Sequence, residues 1–259
     1  MTRRPPRYWL ARGANGLRKI ASGLRPFGES VWPGVRNDLF VAHESLYLFA
    51  ARFAPGADVL DAGCGSGYGA AILSKAGAPR VLGVDVDRRS VRYARRHYGS
   101  PTVSFRVADC DRLELEPRSF GMVYGSNVLE HLTAPETFLR SAAGALRPGG
   151  VAILALPPIT TPSDLAVNDG IHYHRTNLEL RDWARLIEAL PWAVSVYAHR
   201  FDGAWSELDF ASPFPSRLSP ERFTVTPDSI DGLYRSPALT AVFVASPLRD
   251  RPGGDLPVR

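Results

Sequence analysis

Short apolar segments alternate with longer segments of helical periodicity along most of the chain. The apolar segments lie at 59–60, 81–84, 103–107, 119–125 and 151–155. Apolar runs of this length between turn residues are typical of buried strands. Their alternation with helices predicts a mostly parallel sheet with helices on both faces. Two further runs, at 193–200 and 238–246, predict the last two strands.

Polar residues mark the predicted starts of several helices. Asp38 precedes a helix predicted over 39–53, and Asp87 precedes one predicted over 88–98. An Asp side chain in this position accepts hydrogen bonds from the unpaired N–H groups of the first turn. Thr133 and Thr176 are each followed three residues later by Glu. This capping-box pattern predicts two more helix starts.

The turn after the first strand, within residues 57–69 (ADVLDAGCGSGYG), is the most informative feature. The strand ends at Asp61, and glycines follow at 63, 65, 67 and 69. They indicate a turn too tight for side chains, and the next helix directs its N-terminal N–H groups at whatever lies over that turn. The spacing nearly fits two classes of nucleoside cofactor. Gly65-x-Gly67-x-x-Ala70 matches the glycine pattern of dinucleotide-binding turns. Asp61-x-Gly63-x-Gly65-x-Gly67 matches a longer pattern, in which an acid precedes the glycines, that belongs to the second class of cofactor.

Two more predicted strands end at acids. Asp85 ends the second strand and Asp109 the third. The carboxyl ends of parallel strands form the ligand face of such a sheet, so these acids are expected near the glycine turn. A carboxylate at Asp85 can accept hydrogen bonds from both ribose hydroxyls, which either cofactor class requires.

The segment after the fourth strand decides between the two classes. Residues 126–132 (SNVLEHL) resemble motif IV of the class I S-adenosylmethionine-dependent methyltransferases, and the turn from Asp61 to Gly67 resembles their motif I. Residues 146–150 (LRPGG) resemble that family's entry to the fifth strand. The resemblance covers about residues 40–200 and returns at 238–246. Gly121 departs from it, because the family usually has an acid there.

This resemblance implies a Rossmann-like, doubly wound α/β fold. Its seven-stranded sheet would be mostly parallel, with the last strand antiparallel. The resemblance also implies S-adenosylmethionine as cofactor, with Asp85 on the ribose, Asp109 on the adenine amino group, and Ser126 and Asn127 at the methyl site. The predicted cofactor-binding residues are Asp61, Gly63, Cys64, Gly65, Gly67, Asp85, Val86, Asp109, Cys110, Ser126 and Asn127.

Three histidines are candidates for a catalytic base. Methyl transfer to an alcohol requires removal of a proton, and imidazole titrates in the suitable range. His131 follows the fourth strand, while His172 and His174 follow the fifth and would share a face if that segment were extended. The alternative for each is a structural role in a helix start or a connection. Asp164 and Asp169 lie nearby, but their spacing fits no recognisable metal site, so no metal is predicted.

The predicted function is methyl transfer to a hydroxyl of a small molecule, sugar or glycolipid. This acceptor class is an analogy with bacterial family members that carry a His-x-His or similar segment after strand five. Residues 126–129 replace the Asn/Asp-Pro-Pro-Tyr/Phe tetrapeptide of many base-methylating enzymes, which makes nucleic acid an unlikely partner. Three alternatives stay open: an RNA methyltransferase, a nicotinamide-dinucleotide-dependent oxidoreductase, and a binding protein without turnover.

Composition and charge divide the 259 residues into three parts. Residues 1–36 form a basic arm with eight basic residues and one acid, residues 37–246 the methyltransferase domain, and residues 247–259 a tail. The arm could contact nucleic acid or an anionic membrane surface, or be a solvated tail. No apolar run is long enough to span a membrane, and no signal peptide is recognisable. Oligomeric state is not predicted.

Residues 201–237 form an insert between the last two predicted strands. The insert is rich in proline and aromatic residues and is far longer than a hairpin loop. Because it leaves the carboxyl end of a parallel strand, we expect it to cap the acceptor site. The alternatives are a surface excursion and a subunit contact.

The chain has two cysteines, Cys64 and Cys110, both beside the predicted cofactor site. Two cysteines do not indicate a disulfide framework. We expect reduced thiols in a cytoplasmic protein.

Overall fold

The computed structural model describes residues 34–210, 212 and 214–248. The helices are α1 (Asp38–Ala50), α2 (Tyr68–Lys75), α3 (Arg88–Tyr98), α4 (Pro135–Ala145), α5 (Pro162–Asp169), α6 (Leu180–Glu188) and α7 (Ile230–Arg235). The strands are β1 (Asp58–Ala62), β2 (Arg80–Asp85), β3 (Val103–Val107), β4 (Phe120–Ser126), β5 (Leu146–Leu156), β6 (Trp192–Phe201), β7 (Phe223–Asp228) and β8 (Thr240–Pro247). Short 3₁₀ turns include Cys110–Arg112 and Leu129–His131.

The strands form one sheet in the order β3-β2-β1-β4-β5-β8-β6-β7. Strands β1 to β5 are parallel, and β8 runs antiparallel to both β5 and β6. The predicted α/β, Rossmann-like architecture with an antiparallel last strand is therefore confirmed. The predicted strand count of seven is one too low. The extra strand, β7, comes from the insert and pairs antiparallel with β6, whose outer edge would otherwise present unpaired backbone groups.

Helices cover both faces of the sheet, as the sequence pattern predicts. Alternate residues of a strand point to opposite faces, so Val123 of β4 packs with Phe138 and Trp183, whereas Met122 and Tyr124 pack into a second core. That second core includes residues of α1, α2 and α3. None of the helices in the described part of the chain is long and apolar enough to cross a membrane.

The insert is joined to the start of α1. Asp38 accepts hydrogen bonds from the Asp209 N–H, at 2.7 Å, and from the Ser216 hydroxyl. Asn37 donates its amide to the Phe210 carbonyl and caps the helix by accepting from the Phe40 N–H at 3.1 Å. The prediction of Asp38 as N-cap is therefore wrong by one position, because the Asp38 carboxylate is bonded to the insert.

The other predicted helix starts had mixed outcomes. Asp87 caps α3 as predicted, accepting from two N–H groups. Both capping boxes are wrong. The Thr133 and Ala134 N–H groups, which precede the first turn of α4, donate to Asp111, 3.1 Å or less away. The N-cap residue of α4 is Ala134, whose side chain makes no capping hydrogen bond. The Thr176 hydroxyl instead donates to the Leu132 carbonyl at 2.6 Å.

Most of the predicted N-terminal arm and C-terminal tail lies outside the described residues. Of residues 1–36 the structure describes 34–36, and of residues 247–259 it describes 247–248. Contacts of the arm with a membrane surface or nucleic acid stay predictions.

Candidate active site

A cavity of about 880 Å³ opens at the carboxyl ends of the parallel strands. The loops after β1, β2, β3 and β4 form most of its wall, and α1 and the loop between α5 and α6 complete it. The predicted site residues on this wall are Gly63, Cys64, Gly65, Asp85, Val86, Asp109, Cys110, Ser126, Asn127, His131 and His172. The fold thus brings together residues that are more than a hundred positions apart in the sequence.

The glycine turn forms the floor of this cavity. Gly63 has φ +68° and Gly67 φ +86°, a backbone region that side chains rarely tolerate. A Cβ on Gly67 would lie 2.6 Å from the Ala94 side chain and 2.8 Å from the Phe105 ring, so this glycine also lets α2 pack closely. Gly67 lies behind the wall, and its part is to shape the turn.

Asp61 also lies behind the cavity wall instead of on it. Its side chain is fully buried, and one carboxylate oxygen accepts a hydrogen bond from the Tyr47 hydroxyl at 3.1 Å. Burial raises the Asp61 pKa to about 8, against the lowering effect of this hydrogen bond. Tyr47 does line the cavity, so Asp61 acts on the site through Tyr47 and through the backbone of the turn.

Asp85 lies at the end of β2 with its carboxylate on the cavity. One oxygen accepts from the Gly65 N–H and the other from the Asp87 N–H, both at 2.8 Å. Burial raises its pKa, and the two N–H donors oppose that shift. A carboxylate offers about four acceptor positions, so two remain for ribose hydroxyls. The adjacent Val86 is 55% exposed and gives the cavity an apolar surface beside this carboxylate.

The loop after β3 brings two acids and a thiol to the cavity. Asp109 is exposed there and accepts a hydrogen bond from the Asp111 N–H at 3.0 Å. Cys64 and Cys110 are buried free cysteines, and burial raises the pKa of both thiols, that of Cys110 to about 12. The thiols therefore stay protonated near neutral pH.

Ser126 and Asn127 carry the wall from β4 into the next loop. Asn127 has φ +50°, an uncommon conformation for a non-glycine residue. Its N–H donates to the Ala155 carbonyl at 2.8 Å, and its side-chain amide donates to the Ser126 hydroxyl at 3.2 Å. Neighbouring hydrogen bonds thus hold a strained backbone at the cavity.

The three candidate histidines separate into two groups. His131 and His172 line the cavity, but His174 is buried behind it. The segment 172–174 is a turn, so the two histidines do not share one face as an extended segment would place them. His131 Nδ1 lies 3.0 Å from the Tyr173 carbonyl oxygen. Because a carbonyl only accepts, Nδ1 carries a proton, which makes Nε2 the basic atom of the neutral ring.

Several cavity residues were not among the predicted site residues. They include His43 and Tyr47 of α1, Asp111, Tyr173 and Arg175. His43 and Tyr47 are on a helix that precedes the glycine turn, and no motif marks them. Asp111 follows Asp109 by two residues, and that proximity was a usable signal. Tyr173 and Arg175 adjoin the predicted residues His172 and His174, and that proximity was a usable signal too.

The described residues of the insert do not line this cavity. Phe210 borders a small neighbouring cavity together with His43 and Asn127. That the insert caps the acceptor site therefore stays a prediction.

The fold and the cavity define a class of protein, an α/β enzyme that binds a nucleoside cofactor at the carboxyl edge of its sheet. Asp85 has carboxylate positions left for a ribose, Val86 offers an apolar surface for a base, and the glycine turn leaves room beside the backbone. The cavity volume accommodates such a cofactor together with a small acceptor.

Comparison with known proteins identifies the family. Residues 60–154 match the model of a methyltransferase domain. A Mycolicibacterium smegmatis protein described as a probable S-adenosylmethionine-dependent methyltransferase is 34% identical over 196 residues, which are 73% of this chain and 74% of the relative. The chain belongs to the S-adenosylmethionine-dependent methyltransferases. Between the two cofactor classes that the glycine turn allows, this membership selects S-adenosylmethionine.

Other relatives are similar over shorter stretches or in fold alone. A ubiquinone biosynthesis O-methyltransferase of Xanthomonas campestris is 39% identical over 152 residues, which are 58% of this chain and 55% of the relative. Among solved structures, an S-adenosylmethionine-dependent methyltransferase of Mesorhizobium loti has a TM-score of 0.55 at 18% identity, covering 79% of this chain and 99% of that one. A TehB-like enzyme of Corynebacterium glutamicum has a TM-score of 0.52 at 18% identity, covering 94% and 100%.

Proposed function

We propose that the protein transfers a methyl group from S-adenosylmethionine to a hydroxyl of a small molecule, sugar or glycolipid. The observation that carries this proposal is that His131 and His172 lie on the same cavity wall as Asp85 and Ser126. A hydroxyl is a weak nucleophile that must lose its proton, and a nearby imidazole can take it. The relative named as an O-methyltransferase supports this acceptor class.

The residues divide the work of this reaction. When bound, S-adenosylmethionine supplies an electrophilic methyl group on sulfur. Asp85 would bind the ribose of the cofactor, and Asp109 would contact its adenine. Ser126 and Asn127 would orient the acceptor, since holding two reactants in line lowers the entropic part of the barrier. His131 or His172 would accept the hydroxyl proton. The position of that histidine would decide which hydroxyl of the acceptor reacts.

An acceptor screen with methyl-labelled S-adenosylmethionine tests the proposal. The panel contains catechols, sugars and lipid-linked glycans, set beside amines and RNA of the same total concentration. We expect label on a hydroxyl oxygen of one class in the first group. Label found on amines or RNA alone would contradict the proposal, and RNA would favour the alternative that uses the basic arm.

Histidine variants then test the base. Replacement of His131 or His172 with Asn keeps a polar side chain and removes the basic Nε2 atom. We expect at least one of the two variants to lower kcat by about 10²–10⁴-fold, the usual contribution of a general base. His97→Asn is the matched control, because His97 is exposed on α3 and away from the cavity. If both cavity variants keep the kcat of the control, neither His131 nor His172 is the base.

A further inference from the structure

The buried carboxylate of Glu130 lies directly behind the wall of the active-site cavity. Glu130 follows β4 in the 3₁₀ turn Leu129–His131, is 1% exposed, and has no hydrogen-bond partner for either carboxylate oxygen. A buried carboxylate without donors is costly, and such groups in proteins are normally paired or bound to a metal ion. The groups around Glu130 therefore indicate what could compensate the charge of its carboxylate.

Two histidines lie around this carboxylate. One potential ligand atom from each of Glu130, His131 and His174 lies within 4.8 Å of the others. The rings of His131 and His174 meet edge to face, with centroids 4.9 Å apart. Hydrogen bonds from the Arg175 and Thr176 N–H groups to the Glu130 carbonyl hold the two loops together.

Hydrogen bonds also fix the proton positions of both histidines. His131 Nδ1 donates to the Tyr173 carbonyl at 3.0 Å. The Asn168 amide donates to Asn177, so its oxygen is an acceptor, and His174 Nδ1 must donate to it at 2.7 Å. In both rings Nε2 is then the atom available for coordination. A ring nitrogen held by an outer carbonyl or amide oxygen, with the other nitrogen on the metal, is the usual arrangement of metal-binding histidines.

We propose that Glu130, His131 and His174 bind a divalent first-row transition-metal ion. Two imidazoles and one carboxylate suit zinc and its neighbours better than magnesium or calcium, which prefer oxygen ligands. Ligand atoms of a tetrahedral zinc ion lie roughly 3.3–3.6 Å apart, given bonds of about 2.0–2.2 Å. Atoms at the 4.8 Å limit of this cluster would approach one another by about 1.2–1.5 Å when an ion binds. Three protein ligands leave one position for water or for an acceptor oxygen.

The proposed metal site joins the cavity wall at His131 to the loop between α5 and α6. Of the three ligands His131 is on the cavity wall, and Tyr173 and Arg175, beside His174, line the same cavity. An ion here would hold these groups in one arrangement. It would also commit His131 to coordination and leave His172 as the base, a consequence that rests on the proposed function.

Zinc binding to the tag-free full chain tests this proposal without any methyl transfer. The chain is stripped with a chelator, dialysed against zinc, and its metal content measured; cobalt is added separately to record the visible absorption of a bound ion. We expect one zinc per chain. With cobalt we expect the visible absorption bands of an ion with four ligands. Absence of stoichiometric zinc and of a cobalt band would overturn the proposal.

Two variants and one control locate the ion. Glu130→Gln keeps the shape and removes the charge, and His174→Asn keeps the donor to Asn168 and removes Nε2. Even outer hydrogen-bond partners are worth 10–100-fold in metal affinity, so we expect each variant to weaken zinc binding by about 100-fold or more. His172→Asn, in the same loop but outside the cluster, should bind as the wild type does. Equal zinc affinity in all variants would show binding elsewhere and contradict the proposal.

Folding of the variants is checked in the absence of metal. Glu130→Gln removes a buried charge, so its unfolding midpoint without zinc should equal or exceed that of the wild type. Zinc should then raise the midpoint of the wild type and of His172→Asn, but not that of Glu130→Gln. A zinc-dependent rise of equal size in Glu130→Gln would overturn the assignment.

Discussion

Asp61 shows how strongly a single side chain depends on its surroundings in this fold. It ends β1 beneath the glycine turn, fully buried, with the Tyr47 hydroxyl as donor. The ordinary pKa of 3.8 is raised to about 8, chiefly because burial disfavours the charged form. Asp61 therefore holds a proton at neutral pH in the folded protein and is ionised in the unfolded chain.

This shift predicts a pH dependence of stability. Between about pH 4 and pH 8 the folded state binds a proton that the unfolded state does not, so the free energy of unfolding falls as pH rises. The fall is at most about 1.4 kcal/mol per pH unit. Asp61→Asn removes this contribution. Urea unfolding at pH 5 and pH 8 should show the variant gaining stability relative to the wild type at the higher pH. If the two proteins differ in free energy of unfolding by the same amount at both pH values, the raised pKa of Asp61 is contradicted.

At the scale of elements, the loops after the strands organise the helices as well as the cavity. Asp111, in the loop after β3, accepts from the Thr133 and Ala134 N–H groups at the start of α4. Burial raises its pKa, but these donors outweigh burial and the net shift is downward. The Asp111 carboxylate thus holds the residues that lead into α4, although it comes from a distant part of the sequence.

Removal of this carboxylate should destabilise the protein, because the Thr133 and Ala134 N–H groups lose their acceptor. For Asp111→Ala we expect a loss of about 0.5–1.5 kcal/mol in the free energy of unfolding, measured by urea denaturation at pH 7. Glu114→Ala removes an exposed acid from the same loop and is the control. Equal stability of the two variants would show that the hydrogen bonds from Thr133 and Ala134 to Asp111 do not stabilise the fold.

Local sequence patterns predicted some elements and not others for a physical reason. Asp87 caps the helix that it immediately precedes, so neighbouring residues were enough to predict it. The hydrogen bonds of Asp111 and the position of His174 depend on contacts between loops 22 or more residues apart, which periodicity does not encode. Strand β7 was missed although residues 223–226 (FTVT) alternate apolar and polar side chains, because this run is short and is interrupted by Pro227.

At the scale of the whole molecule, the parallel strands bring their final residues to one edge. Gly63, Asp85, Asp109 and Ser126 each follow or end a different strand, and all four line one cavity. Their convergence follows from the predicted topology. The positions of α1 and Arg175 at the cavity do not follow from that topology, because they depend on how distant segments pack over the edge of the sheet. We therefore expect this cavity to bind S-adenosylmethionine through Asp85.

Calorimetric titration with S-adenosylhomocysteine, the product form of the cofactor, tests that claim most directly. We expect the wild type to bind it and not NAD, and Asp85→Asn to bind about 10–100-fold more weakly, as loss of hydrogen bonds to a charged group predicts. Asp87→Asn is the control, since Asp87 caps α3 and does not line the cavity. Equal affinity in Asp85→Asn and the control, or binding of NAD in place of S-adenosylhomocysteine, would contradict the account.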